Sequence, residues 1–158
     1  MKPKTIGMLL LLGLVGCHSP QKQSSTADDS QIIESTILWR ATIDAVTWEP
    51  LELKSMLSDS SRFRQEGNFY KVKDSTKAFG HEALYIGMVG IDLIPGPNVM
   101  LKGDPDNVAQ YITRHNGIKL IKKGEEYQAE LKQDIMLCVA PHPSRKGATL
   151  VIGAYLGK

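Results

Sequence analysis

Three histidines and a cysteine in the second half of the 158-residue chain carry the side chains that a metal site would need. Catalytic zinc usually takes histidine pairs at helix or strand spacing, together with a carboxylate. His81, His115 and His142 lie 34 and 27 positions apart, at predicted loops and helix ends. Cys138 and His142 form a single pair of candidate metal ligands, which is weak support for a site. The spacing therefore predicts no metal site, and we predict no cofactor.

The sequence gives serine chemistry little support. A serine hydrolase presents its nucleophile on a tight elbow such as Gly-x-Ser-x-Gly, and the sequence contains none. Ser19 and Lys22 have the Ser-x-x-Lys spacing of penicillin-binding enzymes, but they lie in a polar tether without the companion motifs. Gly87 and Gly90 lie inside an apolar strand, where close packing explains them better than a phosphate-binding loop. We predict no catalytic residues and no enzymatic activity.

The amino terminus has the pattern of an export signal. Lys2 and Lys4 precede an apolar run of ten residues, 6–15, which is followed by Gly16 and Cys17. A membrane-spanning helix needs about 20 apolar residues, so this run has the length of a signal-peptide core. The alternative to a lipoprotein signal is an ordinary signal peptide in which Cys17 is a coincidence.

The segment Leu14-Val15-Gly16-Cys17 resembles the lipobox of bacterial lipoproteins, in which Leu, a small or aliphatic residue, Gly or Ala, and Cys follow in this order. The resemblance covers residues 1–17 alone, and no family is identified for residues 36–158. It implies removal of residues 1–16 and attachment of a diacylglyceryl group to Cys17, usually with acylation of the new amino group. Several acyl chains would anchor the protein firmly, because each buried CH₂ contributes about 0.8 kcal/mol.

In bacterial lipoproteins, the residue after the lipidated cysteine influences which of the two membranes the protein reaches. In many Gram-negative lipoproteins, Asp at that position favours retention at the inner membrane. Here the position holds His18. The resemblance therefore implies the inner leaflet of the outer membrane, with the domain facing the periplasm.

The mature chain would carry no net charge. Of the 19 Lys and Arg residues, Lys2 and Lys4 lie in the signal peptide, which leaves 17 basic residues against 17 Asp and Glu. A neutral chain lacks the electrostatic attraction for phosphate backbones that nucleic-acid binding requires. We predict no nucleic-acid partner.

If Cys17 carries lipid, Cys138 is the remaining cysteine and no intrachain disulfide can form. Its neighbours make an apolar run, residues 135–140, which predicts a buried strand with the cysteine facing the core. A catalytic thiol would need an exposed, electropositive site. We interpret Cys138 as a small packed hydrophobe.

A change in composition divides the mature chain into two parts. Residues 18–35 are rich in Ser, Gln and Asp and have almost no apolar residue before Ile32. This composition is typical of a flexible tether. We predict a lipidated cysteine and tether over residues 17–35, followed by a single periplasmic domain over residues 36–158.

The first element of that domain has two interpretations. Apolar residues alternate from Ile37 to Ala45, which predicts a half-buried strand. A helix that begins near Asp29 is the alternative, because Ile33, Ile37 and Ala41 also fit helical spacing.

Two short helices are predicted further along the chain. The first begins around Thr47, with Pro50 in its first turn, and ends near Ser58. The second begins with Asp104 as N-cap and Pro105 at the first helical position, and Gly117 ends it.

The remaining elements are predicted to be strands. They are residues 69–72, 82–94, 99–101, 118–121, 127–131, 135–140 and 148–155. This order predicts an α+β fold, a largely antiparallel sheet with two short helices on one face. Both halves of the chain place a helix before a strand pair, which fits a degenerate β-α-β-β duplication. Identical residues are few, so chance similarity is the alternative.

Two stiff loops are the predicted contact sites. The first loop consists of Pro95, Gly96, Pro97 and Asn98, and a rigid loop loses little entropy on binding. The second loop, residues 141–147, carries His142, Arg145 and Lys146 and could meet an acidic partner, a phosphate or a lipid head group. The alternatives are a simple hairpin turn for the first and a solvated basic tip for the second.

These observations predict a membrane-anchored periplasmic lipoprotein that acts without catalysis, as a binding or accessory subunit of a cell-envelope complex. The membrane, through the lipid on Cys17, and an envelope protein are the expected partners. The second hypothesis is an inhibitor or immunity protein that blocks a toxin or wall hydrolase with a stiff loop. The third is a small envelope hydrolase.

Overall fold

Nine short strands pair into one antiparallel sheet in the computed structural model, which describes residues 26–44, 49–88 and 96–157. Its helices are α1 (Thr26–Ile37), α2 (Leu51–Leu57) and α3 (Pro105–Asn116). Its strands are β1 (Phe63–Glu66), β2 (Phe69–Val72), β3 (Lys77–Ala78), β4 (His81–Gly87), β5 (Asn98–Lys102), β6 (Ile121–Lys123), β7 (Glu126–Lys132), β8 (Ile135–Pro141) and β9 (Ala148–Tyr155). The predicted α+β fold is confirmed, although the described residues form three helices where we predicted two. The predicted signal peptide, residues 1–16, and the predicted lipidation site, Cys17, lie outside these ranges.

The strand order is β1-β2-β4-β5-β9-β8-β7-β6, and β3 pairs with β4 beside this path. Strands that are neighbours in this order are neighbours in sequence, except that β2 pairs with β4 and that β9 inserts between β5 and β8. The last strand therefore joins the two halves of the sheet.

One face of the sheet carries the hydrophobic core. Ile86, Val99, Val151 and Val139 are cross-strand neighbours on four adjacent strands, and none has exposed surface. Alternation in these strands places every second side chain on this face. The helices cover it with the apolar residues Ile33, Ile37, Leu53, Leu57, Val108 and Ile112.

The other face has no helix packed on it in the part of the chain that the structure describes. Its central side chains are Phe69, Tyr85, Met100, Met136 and Ile152, and we call this surface the second face. Tyr85 and Met100 are direct cross-strand partners on it. All five residues are half-buried, and none belongs to the core cluster.

Helix α3 begins and ends where the sequence predicted. The Asp104 side chain accepts a hydrogen bond of 3.0 Å from the backbone N–H of Asn107, and Pro105 occupies the first turn. Gly117 ends the helix in the left-handed conformation, with φ of 69°. The Asp104 cap satisfies one of the free N–H groups at the start of the helix, and a left-handed glycine is a common end of a helix.

The predicted strand from Ile37 to Ala45 is wrong over its described residues, 37–44, because Ile37 ends helix α1. The alternative, a helix that begins near Asp29, is the one that agrees with α1, although α1 begins at Thr26 and ends before Ala41. Ile33 and Ile37 are one helical turn apart and almost completely buried. Burial of this helical stripe against the sheet outweighs the period-two alternation. Within residues 38–44, the β-type pairing that the structure shows is an isolated antiparallel bridge between Ile43 and Pro50.

The predicted boundary between tether and domain is also corrected. Residues 26–35 belong to α1, and Asp29 is 2% exposed. The polar composition of this segment is misleading, because Ile33 faces the core and the buried Asp29 is paired with a partly buried arginine described below.

The strands differ from prediction at several points. The sixth strand begins at Ile121, three residues later than expected, and the prediction missed β1 and β3. The second half contains a β-α-β-β unit, β5-α3-β6-β7, whereas α2 has no strand before it among residues 38–44. Cys138 lies on the strand β8, as predicted, but it faces away from the core, because Leu137 and Val139 are the buried members of the alternation.

Candidate functional site

The Gly96-Pro97 segment, part of the first predicted contact loop, lines an apolar pocket at the end of helix α1. The pocket has a volume of about 550 Å³. Trp39, Ile43 and Tyr155 form other parts of its wall. None of the described residues that line it carries a charge.

Trp39 is held in one orientation at this pocket. Its backbone has a positive φ of 55°, which is uncommon for a bulky residue. Its indole Nε1 donates a hydrogen bond of 2.8 Å to the backbone oxygen of Gly153, and Lys132 Nζ donates one of 2.8 Å to the Trp39 carbonyl. These tertiary contacts keep the chain in a conformation that the local sequence does not favour.

Three backbone segments approach each other closely behind Trp39. A Cβ added to Gly153 would lie 2.0 Å from the backbone oxygen of Ile37, and one added to Gly96 would lie 2.1 Å from the oxygen of Gly153. The Gly153 N–H also donates a hydrogen bond of 3.0 Å to the Pro97 carbonyl. Both glycines are needed because no side chain fits there.

An aromatic pair lies at the pocket's rim. The rings of Trp39 and Tyr155 have centroids 6.3 Å apart and are tilted by 40°. Tyr155 is 48% exposed and the next residue, Leu156, is 51% exposed. The pocket therefore has an apolar edge that is open to solvent.

The other members of the first predicted loop have different positions. Asn98 is a residue of β5 and is 2% exposed, so it is not available at the surface. Pro95 lies outside the described residues. The pocket-lining role of Gly96 and Pro97 comes from their contact with β9, which the sequence alone did not reveal.

The second predicted loop lies at the opposite end of β9. Its turn is closed by a hydrogen bond of 2.9 Å from the His142 N–H to the Ala148 carbonyl. The guanidinium of Arg145 folds back over the second face, 5.6 Å from the centre of the Tyr85 ring, and Nη1 lies 3.7 Å from Met100 Sδ. Arg145 therefore does not point outward together with His142, as a basic contact cluster would require. Lys146 is exposed.

A buried ion pair that the sequence analysis missed holds α1 against the sheet. Arg62 bonds to the Asp29 carboxylate, donates 2.6 Å to Asp74 and donates 3.0 Å to the Thr76 hydroxyl. The hydrogen bond to Asp29 is the main cause that raises the pKa of Arg62 above its ordinary value. No local pattern predicts this cluster, because its members lie up to 47 positions apart in the sequence.

The histidines are engaged in separate contacts. His81 Nδ1 lies 2.7 Å from the Phe79 carbonyl, and the His115 ring stacks on Tyr111 at a centroid distance of 4.0 Å. His142 Nδ1 accepts a hydrogen bond of 3.3 Å from the Ser144 N–H. Over the described ranges, no three His, Cys, Asp or Glu residues form a group that could hold a metal ion.

Cys138 is a half-buried free thiol on the same side of the sheet as the second face. Burial raises its pKa above the ordinary value, and the nearby charge of Glu126 adds to the rise. A raised pKa keeps the sulfur in the thiol form, which is a poor nucleophile at neutral pH.

No family model matches the chain, and no curated protein or solved structure matches it significantly. Among the described residues, no helix combines the length and the apolar character that a membrane crossing requires.

Proposed function

We propose that this chain is a periplasmic lipoprotein, anchored by Cys17 in the inner leaflet of the outer membrane, that acts as a non-enzymatic accessory subunit of an envelope complex. The lipobox supports the anchor, and the second face of the sheet, on which none of the described helices packs, supports binding. The second face is the observation that carries the proposal.

Antiparallel sheets with one solvated face normally alternate apolar residues inside with polar residues outside. The second face departs from this rule at its centre, where Phe69, Tyr85, Met100 and Ile152 lie on four adjacent strands. Tyr85, Met100 and Leu150 are successive cross-strand partners on this face, and an apolar patch of this kind is typical of a protein-binding surface. Since no described helix covers it, we assign the partner contact to this face.

Arg145 adds polar specificity to this surface. It has no carboxylate partner among the residues that the structure describes, and Tyr85 and Met100 support its guanidinium from below. Arg and Tyr are enriched at the energetically dominant positions of protein interfaces. An acidic side chain of the partner would complete the interaction.

Site-specific photo-crosslinking in intact cells tests the proposal. A photoreactive phenylalanine derivative replaces Phe69 or Ile152 on the second face, and the matched control replaces Leu51, which is exposed on α2. We expect discrete high-mass adducts from the two second-face positions and none from Leu51. The same variants with Cys17→Ser should lose these adducts, because the protein no longer reaches the membrane.

Three results would contradict the proposal. Adducts of equal yield from Leu51, or none from the second face, would exclude this face as the contact surface. Normal processing and unchanged membrane sedimentation of Cys17→Ser would exclude the lipid anchor. Capture of a single enzyme whose activity falls on binding would favour the inhibitor hypothesis over an assembly role.

A further inference from the structure

We infer that the apolar pocket beside Trp39 binds a single alkyl chain, such as the acyl chain of a lipid. The inference goes beyond the proposed protein-binding role. It concerns a different part of the sheet, and it stands on the geometry of the pocket alone.

The volume of the pocket suits a small apolar ligand. Ligand pockets in proteins have volumes of about 300–1,000 Å³ and are lined mostly by apolar and aromatic side chains. The volume here is about 550 Å³, and the described lining includes Ile43, Pro50, Met88 and Ile135. An alkyl chain would replace water against these side chains, which is favourable in proportion to the apolar area covered.

The polar groups at the pocket exclude a peptide segment as the preferred occupant. Trp39 Nε1 is paired with the Gly153 carbonyl, and the Thr36 hydroxyl donates 2.8 Å to the Ile32 carbonyl. A peptide would bring N–H and C=O groups to a wall whose donors are already engaged, and burial of unpaired polar groups is costly. An alkyl chain brings no such groups.

The wall of the pocket is preformed. Gly96 and Gly153 let three backbone segments meet without intervening side chains, and hydrogen bonds join Gly153 to both Trp39 and Pro97. A wall fixed in this way cannot relax inward to fill the cavity. Binding to it therefore needs little reorganisation.

Trp39 provides a direct signal for occupancy. The experiment uses the full chain with Cys17→Ser, so that no attached lipid competes, and with Trp48→Phe, so that Trp39 is the only tryptophan. The probe is dodecanol, which is uncharged, and the measurement is the Trp39 fluorescence during titration. We expect a saturable change in emission, and affinity that rises about fourfold for each CH₂ from hexanol to dodecanol.

A matched pair of substitutions locates the binding site. Ile43→Glu places a carboxylate in the pocket wall and should weaken dodecanol binding at least about tenfold. Ile121→Glu makes the same change on the exposed edge strand β6 and should leave the affinity unchanged. Circular dichroism tests whether each variant is folded. If Ile43→Glu does not fold, the dependence of affinity on alkyl chain length, measured on the pocket with Ile43 in place, decides the question.

Three results would overturn the inference. They are the absence of a saturable change in Trp39 emission, affinity that does not depend on chain length, and equal weakening by the two glutamate substitutions. Binding of an acetylated leucine tripeptide as tightly as dodecanol would also overturn it, because the pocket would then accept a peptide.

Discussion

The indole Nε1 of Trp39 donates a hydrogen bond of 2.8 Å to the backbone oxygen of Gly153, which joins the end of α1 to the last strand of the sheet. The two residues are 114 positions apart in the chain. Gly153 is also the residue whose absent side chain lets the Ile37 carbonyl approach. The wall of the apolar pocket and the attachment of α1 therefore depend on the same contact.

Gly153→Ala should destabilise the protein. The new Cβ would lie 2.0 Å from the backbone oxygen of Ile37 and 2.9 Å from Trp39 Nε1, so the backbone must shift and the hydrogen bond to Trp39 weakens. We expect a loss of about 2–4 kcal/mol in the free energy of unfolding, measured by urea denaturation.

Gly124→Ala is the control for this substitution. A Cβ there meets no atom within 4 Å, and the cost should come from the positive φ of 65° alone. That cost is about 1 kcal/mol. Equal losses for the two variants would show that the close approach at Gly153 does not exist.

Asp29→Ala should destabilise the protein by about 1.5–3 kcal/mol, the usual contribution of a hydrogen bond to a charged group. It removes the buried carboxylate that pairs with Arg62, whose side chain is 20% exposed. Asp28→Ala changes an exposed neighbour on the same helix and should have little effect. Thermal and urea unfolding of both variants measure the difference, and similar stabilities would show that α1 is not held by this pair.

The stability contributed by Asp74 should disappear in acid. Burial alone would raise the pKa of Asp74, but hydrogen bonds from Thr76 and Arg62 outweigh it, and the pKa lies below its ordinary value. A carboxyl group with a lower pKa in the folded state stabilises the protein above the unfolded pKa, about 3.9, and this stabilisation is lost as the pH falls through the folded value.

Asp74→Asn should therefore be less stable than the parent chain near pH 6, and the gap should narrow as the pH approaches about 2. Urea unfolding over this pH range measures it. Glu125→Gln, an exposed change in the β6–β7 turn, serves as the control and should follow the parent chain. A gap for Asp74→Asn that stays constant with pH would contradict the prediction.

Cys138 should react slowly with iodoacetamide in the folded protein. In the Cys17→Ser chain it is the only cysteine, and its raised pKa leaves less thiolate at neutral pH than in a free cysteine. We expect the rate to rise with pH to a midpoint above about 8.5. The same chain in denaturant gives the reference rate. A folded chain that reacts as fast as the unfolded one near neutral pH would contradict the raised pKa.

Elements with complete local signals could be predicted from the sequence. Helix α3 has its N-cap, its proline and its terminal glycine within fourteen consecutive residues, 104–117, so neighbouring residues suffice to define it. Strands β7, β8 and β9 have clear apolar patterns between turns. The α+β class follows from the order of such elements.

Helix α1 has no such complete local signal, and its apolar spacing suggested it only as the alternative to a strand. Its sequence is polar, and its stability depends on Ile33 and Ile37 meeting the sheet and on Asp29 meeting Arg62, which is 33 positions away. Most helical stability in proteins comes from such tertiary packing rather than from propensity. The alternation from Ile37 to Ala45 therefore suggested a strand that the fold does not contain.

The amino-acid sequence by itself determined the lipobox pattern, the equal numbers of basic and acidic residues after residue 16, the caps of α3 and the α+β class, because each depends on composition or on neighbouring residues. The tertiary structure decided on which face of the sheet the described helices pack, where Arg145 lies and how Trp39, Gly96 and Gly153 form a pocket. The physical reason is that these features arise from contacts between strands and helices far apart in the chain, whose burial and hydrogen bonds exist only after the sheet has assembled.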